Sequence, residues 1–388
     1  MTERAKHACV ITPTYPDKWF IEKGAFVDRL VNEWKKEGLR VDVVAPRKIV
    51  NFLKAIYKRK HTLNQIAGDS VLYPSYISVS NKKMLNIDLK KISLQNFNKS
   101  ALKGLKSLKT PDFFYGQFLE TGGSAALTAG KKYNLPAFAD VGESVLLNRG
   151  LFDETKKLSK LVTSLDGLAC VSQELADEVI SLGADPEKVM FYPNTVNMDR
   201  FKILDRSECR IKLGLPVNET IAIFTGHFIE RKGPLRVLQS LKMQTKPKVK
   251  AIFIGRGEQE PHSEIILHKG PVPNSELATW LCAADFFVLP TQHEGHCNAI
   301  NEAMACGLPI ISSDIPEVRS QVSAEAGLLV NPTDIASLAR AIEELAGNPN
   351  MRKLKGEAAY QEQIKRSSRS RASVILEWIN NIMKLQEK

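Results

Sequence analysis

A strand, a loop, a helix and a second strand follow one another between residues 285 and 312, and this order most constrains the fold. Residues 286–289 are an apolar run, typical of a short buried strand. Gly307-Leu-Pro309 ends the helix before a second apolar run, 310–312. Because a helix that connects two buried strands returns the chain in the same direction, this unit predicts a parallel sheet.

Apolar runs alternate with helical segments along the rest of the chain, so parallel sheets are predicted in both halves. With 388 residues and about 150 residues per domain, two domains are expected. An amphipathic helix is predicted at 25–36, and Ser172 is predicted to cap a later helix. Strands are predicted at 9–12, 41–45, 113–115, 137–139, 167–171 and 189–192, and then at 221–225, 251–254, 286–289, 310–312 and 327–330.

Cysteine spacing and hydropathy restrict the class of protein. The six cysteines stand singly, without a C-x-x-C pair, so neither a disulfide framework nor a metal cluster is predicted. No apolar segment has the length of a transmembrane helix, and the N-terminal residues lack the apolar stretch of a signal peptide. A reducing, cytoplasmic environment is therefore expected.

The net charge of +11 arises in one segment. Residues 47–109 contain 14 Lys or Arg against two acidic residues, which gives +12. Apolar residues interrupt the basic ones at 49–60, where Val50, Leu53 and Tyr57 would share one face of a helix. Such a segment favours an anionic membrane surface as a partner. A nucleic acid is the competing partner, although no recognised nucleic-acid motif accompanies the segment, and a solvated face is the simplest alternative.

Two carboxylates lie around the start of the helix in the unit at 285–312. Glu294 is on the loop before the helix, and Glu302 is about two turns into it. Main-chain amides of the loop and of the helix start can bind an anion such as a phosphate. Carboxylates nearby suit a polyhydroxylated anion, because they accept hydrogen bonds from sugar hydroxyls. Taken alone, however, two glutamates at this spacing are more often structural or solvated.

The residues around this pair resemble the donor site of the family 4 glycosyltransferases. The string E-G-x-x-N-x-x-x-E-A-M-A-C-G-L-P starts at Glu294, and the resemblance is strong over 221–330 and only in outline over the first half. It implies an α/β fold with two facing Rossmann-like domains of the GT-B type, each with a parallel sheet. The domains would be an acceptor-binding one at 1–197 and a donor-binding one at 198–368. A C-terminal helix at 369–388 would cross back to the first domain.

The resemblance also implies roles for the residues of this string. Glu294 would accept hydrogen bonds from the donor sugar, and Glu302 would hold the ribose. Gly295 and His296 would offer main-chain amides. The diphosphate would lie near Asn298, Ile300 and Asn301.

A second loop follows the strand at 221–225 and contains Gly226, His227, Arg231 and Lys232. A glycine turn followed by basic residues suits a diphosphate. Relatives usually have G-R-x-x-x-x-K-G here, with arginine and lysine neutralising the departing nucleoside diphosphate. Lys232 matches the lysine. The G-x-G turn that begins at Gly255 resembles a turn near the nucleotide in relatives, but a lone G-x-G is also found in ordinary tight turns.

Three positions depart from the family pattern. His227 stands where the arginine is expected, and a histidine is only partly charged near neutral pH and cannot form a bidentate contact. Arg231 could supply the missing charge, although it is adjacent to Lys232 and adjacent residues point in different directions. Cys297 and Asn301 stand where relatives often have proline and leucine. Cys297 is interpreted as a small loop residue and not as a nucleophile, because no base or thiol partner is evident.

The acceptor side is predicted in the first half. Residues 13–24 form a Pro/Gly-rich loop at the carboxyl end of the first sheet, where open α/β sheets bind ligands, so Tyr15 and Gly24 are candidates. Asp140 and Glu143 follow the strand at 137–139, where relatives often have a polar or acidic group that contacts the sugar or acceptor. Either could accept the proton of an acceptor hydroxyl, and either could instead cap the next helix.

The sequence therefore predicts a retaining glycosyltransferase of the hexosyltransferase type (EC 2.4), with Glu294, Lys232 and Asp140 as catalytic residues. It would transfer a sugar from a nucleotide diphosphate sugar to an acceptor hydroxyl. Retention is implied by the resemblance, and front-face displacement is preferred because no carboxylate nucleophile is evident. No Asp-x-Asp motif is present, so neither a metal nor another cofactor is expected, and Lys232 with the helix amides would support the leaving group.

The expected partners are a nucleotide sugar, a lipid-linked or glycan acceptor, and an anionic membrane surface, with no nucleic acid. The expected setting is bacterial cell-surface polysaccharide or glycolipid assembly, in the cytoplasm or peripherally on the inner face of the membrane. The alternatives are a soluble transferase that makes a small glycoside, a non-catalytic nucleotide-sugar-binding protein, and a nucleic-acid-binding protein that uses the basic segment.

Overall fold

The chain divides into two compact units in a computed structural model. The structure describes residues 5–17, 24–49, 65–66, 69–78, 83–84, 87–143, 146, 152–244, 248–367 and 369–386. One unit comprises Met1–Pro193 and Ser370–Lys388, and the other comprises Asn194–Arg369. The sequence predicted domain limits at 197/198 and 368/369.

The first unit contains twelve of the described strands. They are β1 (His7–Ile11), β2 (Arg40–Val44), β3 (Arg47–Lys48), β4 (Gln65–Ile66), β5 (Asp69–Leu72), β6 (Ser75–Tyr76), β7 (Lys83–Met84), β8 (Ile87–Asp88), β9 (Phe113–Gln117), β10 (Ala137–Val141), β11 (Gly167–Cys170) and β12 (Val189–Phe191). Eight of them form one sheet in the order β12-β11-β10-β9-β1-β2-β5-β4. All neighbours in this sheet are parallel except β4 and β5.

Helices of the first unit pack on this sheet through apolar faces. They are α1 (Ala25–Lys36), α2 (Leu89–Leu105), α3 (Ser124–Tyr133), α4 (Phe152–Ser164) and α5 (Gln173–Ser181), together with a C-terminal helix at Arg371–Gln386. The bounds of α1 agree with the prediction, and Trp34 on its inner face is fully buried. Ser172 caps α5, as predicted, because its side chain accepts from the amide of Leu175.

The C-terminal helix belongs to the core of the first unit, as the predicted fold requires. Ile375 and Ile379 are fully buried in a cluster with Trp34 and the strand residues of the sheet. The Trp34 indole Nε1 donates to the carbonyl of Ala372 at 2.7 Å, which joins α1 to this helix. The apolar residues of the C-terminal helix recur at helical spacing and form one apolar face. Burial of this face stabilises the packing of the helix on the first unit, and this explains why the chain returns to that unit.

The second unit is a parallel α/β domain. Its strands are β13 (Thr220–Thr225), β14 (Val249–Ile254), β15 (Ile266–Gly270), β16 (Phe286–Leu289), β17 (Ile310–Ser313) and β18 (Gly327–Val330). Its helices are α6 (Arg206–Leu213), α7 (Pro234–Lys242), α8 (Leu277–Cys282), α9 (Asn298–Ala305), α10 (Pro316–Arg319), α11 (Ile335–Gly347) and α12 (Pro349–Arg366).

The strand order of the second unit fixes where its functional loops meet. The order is β15-β14-β13-β16-β17-β18, and every neighbouring pair is parallel. Counted within the unit this is 3-2-1-4-5-6, the Rossmann order. The order reverses between β13 and β16, so the loops that follow these two strands leave the sheet side by side. Ligands of such sheets bind at this switch point, outside the carboxyl ends of the strands.

Candidate functional site

Glu294 and Lys232 form an ion pair at the switch point of the second unit. The Lys232 Nζ donates to Glu294 Oε1, and the two side chains are only 13% and 8% exposed. The loop after β13 carries Lys232 and the loop after β16 carries Glu294, 62 positions later. The fold therefore brings together the two residues that the sequence predicted for one site, although their catalytic roles stay predictions.

Arg231 joins the same two loops rather than extending into solvent. Its guanidinium donates to the carbonyl of His293 and lies 3.6 Å from Glu294 Oε1. Its main-chain carbonyl accepts from the amide of Gln292 at 2.9 Å. Arg231 thus holds the loop that carries Glu294, and this contact competes with its predicted role as a phosphate ligand.

Glycines allow the loops after β13 and β14 to lie against each other. A Cβ on Gly255 would lie 1.8 Å from the carbonyl oxygen of Gly226, and Gly255 has a φ of +151°. Main-chain hydrogen bonds of 2.9 Å join Gly226 to Ile254 and Phe228 to Arg256. Gly226 and Gly255 therefore lie against each other, and at Gly255 only a glycine fits this close approach. Their predicted contact with a nucleotide diphosphate stays a prediction.

A network of buried polar side chains fixes the loop that carries Glu294. The Gln321 amide contacts His296 Nδ1 at 3.1 Å, Asn301 Oδ1 at 3.2 Å and the Cys297 carbonyl at 3.2 Å. Gln321 Oε1 accepts from the Cys297 amide at 2.9 Å, and Asn301 Nδ2 lies 3.4 Å from His296 Nδ1. Because amide nitrogens donate to His296 Nδ1, that atom is an acceptor and the ring proton is on Nε2. Gln321 was not predicted, because its partners come together only in the fold.

Two side chains of the predicted diphosphate set are buried within the second unit. Asn301 is 1% exposed, and besides this network its amide donates to the carbonyl of Asn194 at 2.9 Å. Ile300 is fully buried in the core of the unit. Both side chains lie on the buried face that packs α9 on the sheet, and the prediction that these residues lie near a diphosphate stays a prediction. Only their main-chain atoms could contact a diphosphate.

The other residues of the predicted string differ in accessibility. Asn298 is the first residue of α9 and is partly buried, whereas Gly295 is buried in the loop before it. Cys297 is the N-cap residue of this helix and offers no side-chain cap. Glu302 lies in the helix and is partly buried. Burial also raises the pKa of the Cys297 thiol to about 11, which agrees with a protonated loop residue and not with a nucleophile.

His227 is exposed and carries no full positive charge at neutral pH. Although the residue is exposed, part of the ring is shielded from solvent, and this partial burial lowers the pKa of His227 below 6.5, as do the charges of Lys232, Arg256 and Arg231. The side chain at the position of the expected arginine is therefore neutral at pH 7. Whatever balances the charge of a bound diphosphate has to come from other residues.

Asp140 occupies a different environment from the one predicted. It is 2% exposed, and its Oδ2 accepts from Arg371 at 2.6 Å and from the Tyr115 hydroxyl at 2.9 Å. Arg371 also donates to the carbonyls of Tyr192 and Ala169. The carboxylate thus anchors the C-terminal helix to β10, and this structure does not support Asp140 as the group that accepts a proton from an acceptor.

Glu143 has the properties expected of a proton acceptor. Its Oε1 accepts from the amide of Glu120 at 3.4 Å, in the π-helical turn Phe118–Gly123 that follows β9. Burial is the main reason that the pKa of Glu143 is raised from 4.5 to about 7, and the nearby Asp140 charge adds to it. A general base works best when its pKa is near the working pH.

The other two acceptor-side candidates support the loop after β1. The Tyr15 hydroxyl donates to Asp28 Oδ1 at 2.7 Å. Gly24 has a φ of +76°, and a Cβ there would lie 2.5 Å from the carbonyl oxygen of Thr14. The order of the first sheet reverses between β1 and β9, so this loop and the π-helical turn lie at the switch point of that unit.

Neither a metal-binding cluster nor a membrane span is found in the part of the chain that the structure describes. No group of three or more His, Cys, Asp or Glu side chains could hold a metal ion there. No helix among the described residues is long and apolar enough to cross a bilayer. The basic amphipathic stretch predicted at 49–60, with Val50, Leu53 and Tyr57, lies outside the described residues except for Ile49.

Comparisons with known proteins agree with these observations. Residues 205–362 match the family model described as glycosyl transferases group 1. The chain is 28% identical to the putative teichuronic acid biosynthesis glycosyltransferase TuaC of Bacillus subtilis over 353 aligned residues. The alignment covers 86% of this chain and 87% of TuaC. It resembles the structure of sucrose-phosphate synthase from Thermosynechococcus elongatus with a TM-score of 0.76, 16% identity, and coverage of 98% of this chain and 99% of that one. It also resembles Anabaena HepE in complex with UDP and glucose, with a TM-score of 0.69, 15% identity, and coverage of 98% and 100%.

The second unit is thus similar to the glycosyl transferases group 1, and the chain has the GT-B fold of two Rossmann-like domains with parallel sheets. The predicted fold is confirmed, and so is the broader resemblance to glycosyltransferases. Assignment to family 4 and to a retaining reaction stays a prediction.

Proposed function

We propose that the protein is a retaining glycosyltransferase that transfers a sugar from a nucleotide diphosphate sugar to an acceptor hydroxyl. The observation that carries the proposal is the Glu294–Lys232 pair at the switch point of a Rossmann-ordered sheet. The HepE structure contains UDP and glucose, so UDP-sugars are the first donors to test. The name of TuaC supports an acceptor in cell-surface polysaccharide or glycolipid assembly.

Lys232 would neutralise the leaving diphosphate. An ammonium group has three N–H donors, so a contact with Glu294 leaves two of them for phosphate oxygens. Glu294 would accept hydrogen bonds from the donor sugar through its carboxylate. Glu302, further along α9, would accept from the ribose. Amides at the start of α9 would add electrostatic support where negative charge develops.

In the proposed reaction the bond between the anomeric carbon and the diphosphate oxygen breaks, and the acceptor oxygen attacks from the same face. The diphosphate leaves with the bonding electrons, and its oxygen takes the acceptor proton, directly or through Glu143. Glu143 replaces Asp140 in this role because Asp140 is bound to Arg371 and Tyr115. Lys232 and the main-chain amides take the place of a metal, and no cofactor is proposed.

We also propose peripheral binding to an anionic membrane on the cytoplasmic side. The support is the excess of positive charge over residues 47–109, of which α2 presents Lys91, Lys99 and Lys103 to solvent. Basic residues near an anionic surface contribute about 1 kcal/mol each. A soluble transferase with a small acceptor would lack this binding.

The proposal is tested with UDP-, GDP- and ADP-sugars in the presence and absence of EDTA. One of these classes of nucleotide sugar should raise the melting temperature of the protein, and the rate at which that sugar is turned over should be the same with and without EDTA. With a matched acceptor, NMR of the product should show the anomeric configuration of the donor. Inverted product would exclude the retaining reaction, and strong loss of turnover in EDTA would exclude the metal-free one. Binding without turnover on lipid-linked, glycan or small acceptors would favour a nucleotide-sugar-binding protein.

A further inference from the structure

The side chain of Gln321 is oriented by the main chain of Cys297. Gln321 Oε1 accepts from the Cys297 amide at 2.9 Å, and Gln321 Nε2 donates to the Cys297 carbonyl at 3.2 Å. Because a main-chain amide only donates and a carbonyl only accepts, these two bonds identify which atom of the glutamine is the oxygen and which is the nitrogen. Cys297 is the N-cap residue of α9, so Gln321 holds the residue that precedes this helix by both of its main-chain polar groups.

Asn301 is oriented in the same manner within the first turn of α9. Its Nδ2 donates to the Asn194 carbonyl at 2.9 Å, and its Oδ1 accepts from Gln321 Nε2 at 3.2 Å. The amide nitrogens of both side chains face His296 Nδ1, at 3.1 Å from Gln321 and 3.4 Å from Asn301. An imidazole with a proton on Nδ1 would place that proton against two donors. Only the neutral ring with its proton on Nε2 fits the network.

Gln321 is itself held by α12. Arg366 Nη2 donates to the Gln321 carbonyl at 2.8 Å, and Arg366 Nη1 donates to Asn301 Oδ1 at 3.4 Å. Gln321 and Asn301 are each 1% exposed, so water has little access to the bonds between them. A buried polar network whose members are bonded to one another favours a single arrangement, and this makes the segment rigid.

We propose that Gln321 is a positioning residue of the donor site, which fixes the segment between Glu294 and Glu302 in the conformation that binds a nucleotide sugar. The inference rests on the proposed function, and it adds a residue that acts through other residues and not by contact with the ligand. The partners of the Gln321 side chain all lie between the two carboxylates in the sequence, and they are His296, Cys297 and Asn301. Loss of this support would let the carboxylates move, and a misplacement of about 1 Å can cost about 100-fold in turnover.

The test measures the dissociation constant of a nucleotide sugar by calorimetry at two pH values, about 9 and about 6.5. The probe is whichever of UDP-, GDP- and ADP-glucose binds the wild type most tightly. Gln321→Glu keeps the shape of the side chain and the oxygen that accepts from the Cys297 amide, but it replaces the donating nitrogen with a second oxygen. At the higher pH this carboxylate faces three acceptors, so binding should weaken about 10-fold. At the lower pH a proton shared with His296 Nδ1 restores a donor, so most of the affinity should return.

Gln244→Glu is the matched control in the same unit. Gln244 Nε2 donates to the carbonyls of Ala339 in α11 and Ser240 in α7, and not to the loop that carries Glu294. The same substitution there should leave the dissociation constant unchanged at both pH values, even where it lowers the melting temperature. Gln321→Met removes the side-chain bonds of the glutamine without adding a charge, so it should weaken binding equally at both pH values. This variant decides the question if Gln321→Glu does not fold.

A second readout is the nitrogen NMR spectrum of His296 without ligand. The wild type should show a neutral ring protonated on Nε2, and Gln321→Met should show a mixture of the two neutral forms. The inference is overturned if both Gln321 variants bind as tightly as the control, if folded Gln321→Glu does not recover in acid, or if the wild-type ring is protonated on Nδ1. Lys232→Ala separates the two proposals. If it weakens binding while neither Gln321 variant does, only this inference fails, and if none of the three variants weakens binding, the proposed donor site fails as well.

Discussion

Removal of either partner of the Asp140–Arg371 ion pair should destabilise the first unit strongly. Arg371 donates to Asp140 at 2.6 Å and to two main-chain carbonyls at 2.8 and 3.0 Å, and both side chains are less than a tenth exposed. Loss of one partner from a buried pair leaves an uncompensated charge, which costs about 3–5 kcal/mol. Asp140→Asn and Arg371→Met should each lower the free energy of unfolding by that amount.

The double variant provides the sharper test. Replacing both charges removes the uncompensated charge, so Asp140→Asn with Arg371→Met should cost less than the sum of the two single variants, with a coupling energy of about 1–3 kcal/mol. Urea unfolding followed by tryptophan fluorescence and circular dichroism measures these values. Arg319→Met, which breaks the exposed pair with Asp314, is the control and should change little. The structural role would be refuted if the losses of unfolding free energy in the two single variants simply added up in the double variant. It would also be refuted if the Asp140→Asn protein were as stable as the wild type but had lost its turnover, and Asp140 would then again be a catalytic candidate.

Three further predictions follow from other parts of the molecule. Folding raises the pKa of Glu143 from 4.5 to about 7, so the wild type loses stability as the pH rises through this range. Glu143→Gln should therefore raise the free energy of unfolding by about 3 kcal/mol at pH 8 and change it little at pH 4. A gain in stability that does not depend on pH would contradict this. Gly255→Ala should lower the melting temperature and nucleotide binding, because its Cβ would lie 1.8 Å from a carbonyl oxygen, whereas Gly347→Ala has open space and serves as the control. The protein should sediment with anionic vesicles at low salt and not with neutral ones, and part of this binding should be lost when three exposed lysines become serine: Lys99, Lys103 and Lys106. Binding that ignores lipid charge would contradict the membrane proposal.

The fold was predictable wherever the apolar pattern was continuous. Phe286–Leu289 and Gly327–Val330 agree with their predicted bounds, because strands buried in a parallel sheet contain unbroken apolar runs. Ile266–Gly270 was missed. It is an edge strand with the sequence ILHKG, only partly buried throughout, so it lacks such a run.

The candidate site was predictable only in part. The spacing and surroundings of Glu294 and Lys232 pointed to one site, and parallel topology brings them together. The partner of Asp140 was not predictable, since Arg371 is 231 positions away and nothing in the local sequence links them. Likewise the burial of Ile300 and Asn301 depends on which face of α9 packs on the sheet, and Gln321 contributes only through contacts made in the folded unit.

The most direct test of the account is a calorimetric comparison of a bare nucleoside diphosphate with its sugar conjugate, for example UDP with UDP-glucose. We expect Lys232→Ala to weaken both ligands, because both contain the diphosphate. Glu294→Ala should weaken the sugar conjugate ~10- to 150-fold, the loss of about 1.5–3 kcal/mol for a charged acceptor, and leave the bare nucleotide within about 3-fold of the wild type. If UDP-, GDP- and ADP-sugars all fail to bind the wild type, or if both folded variants bind as the wild type does, the assignment of a donor site to these residues is wrong.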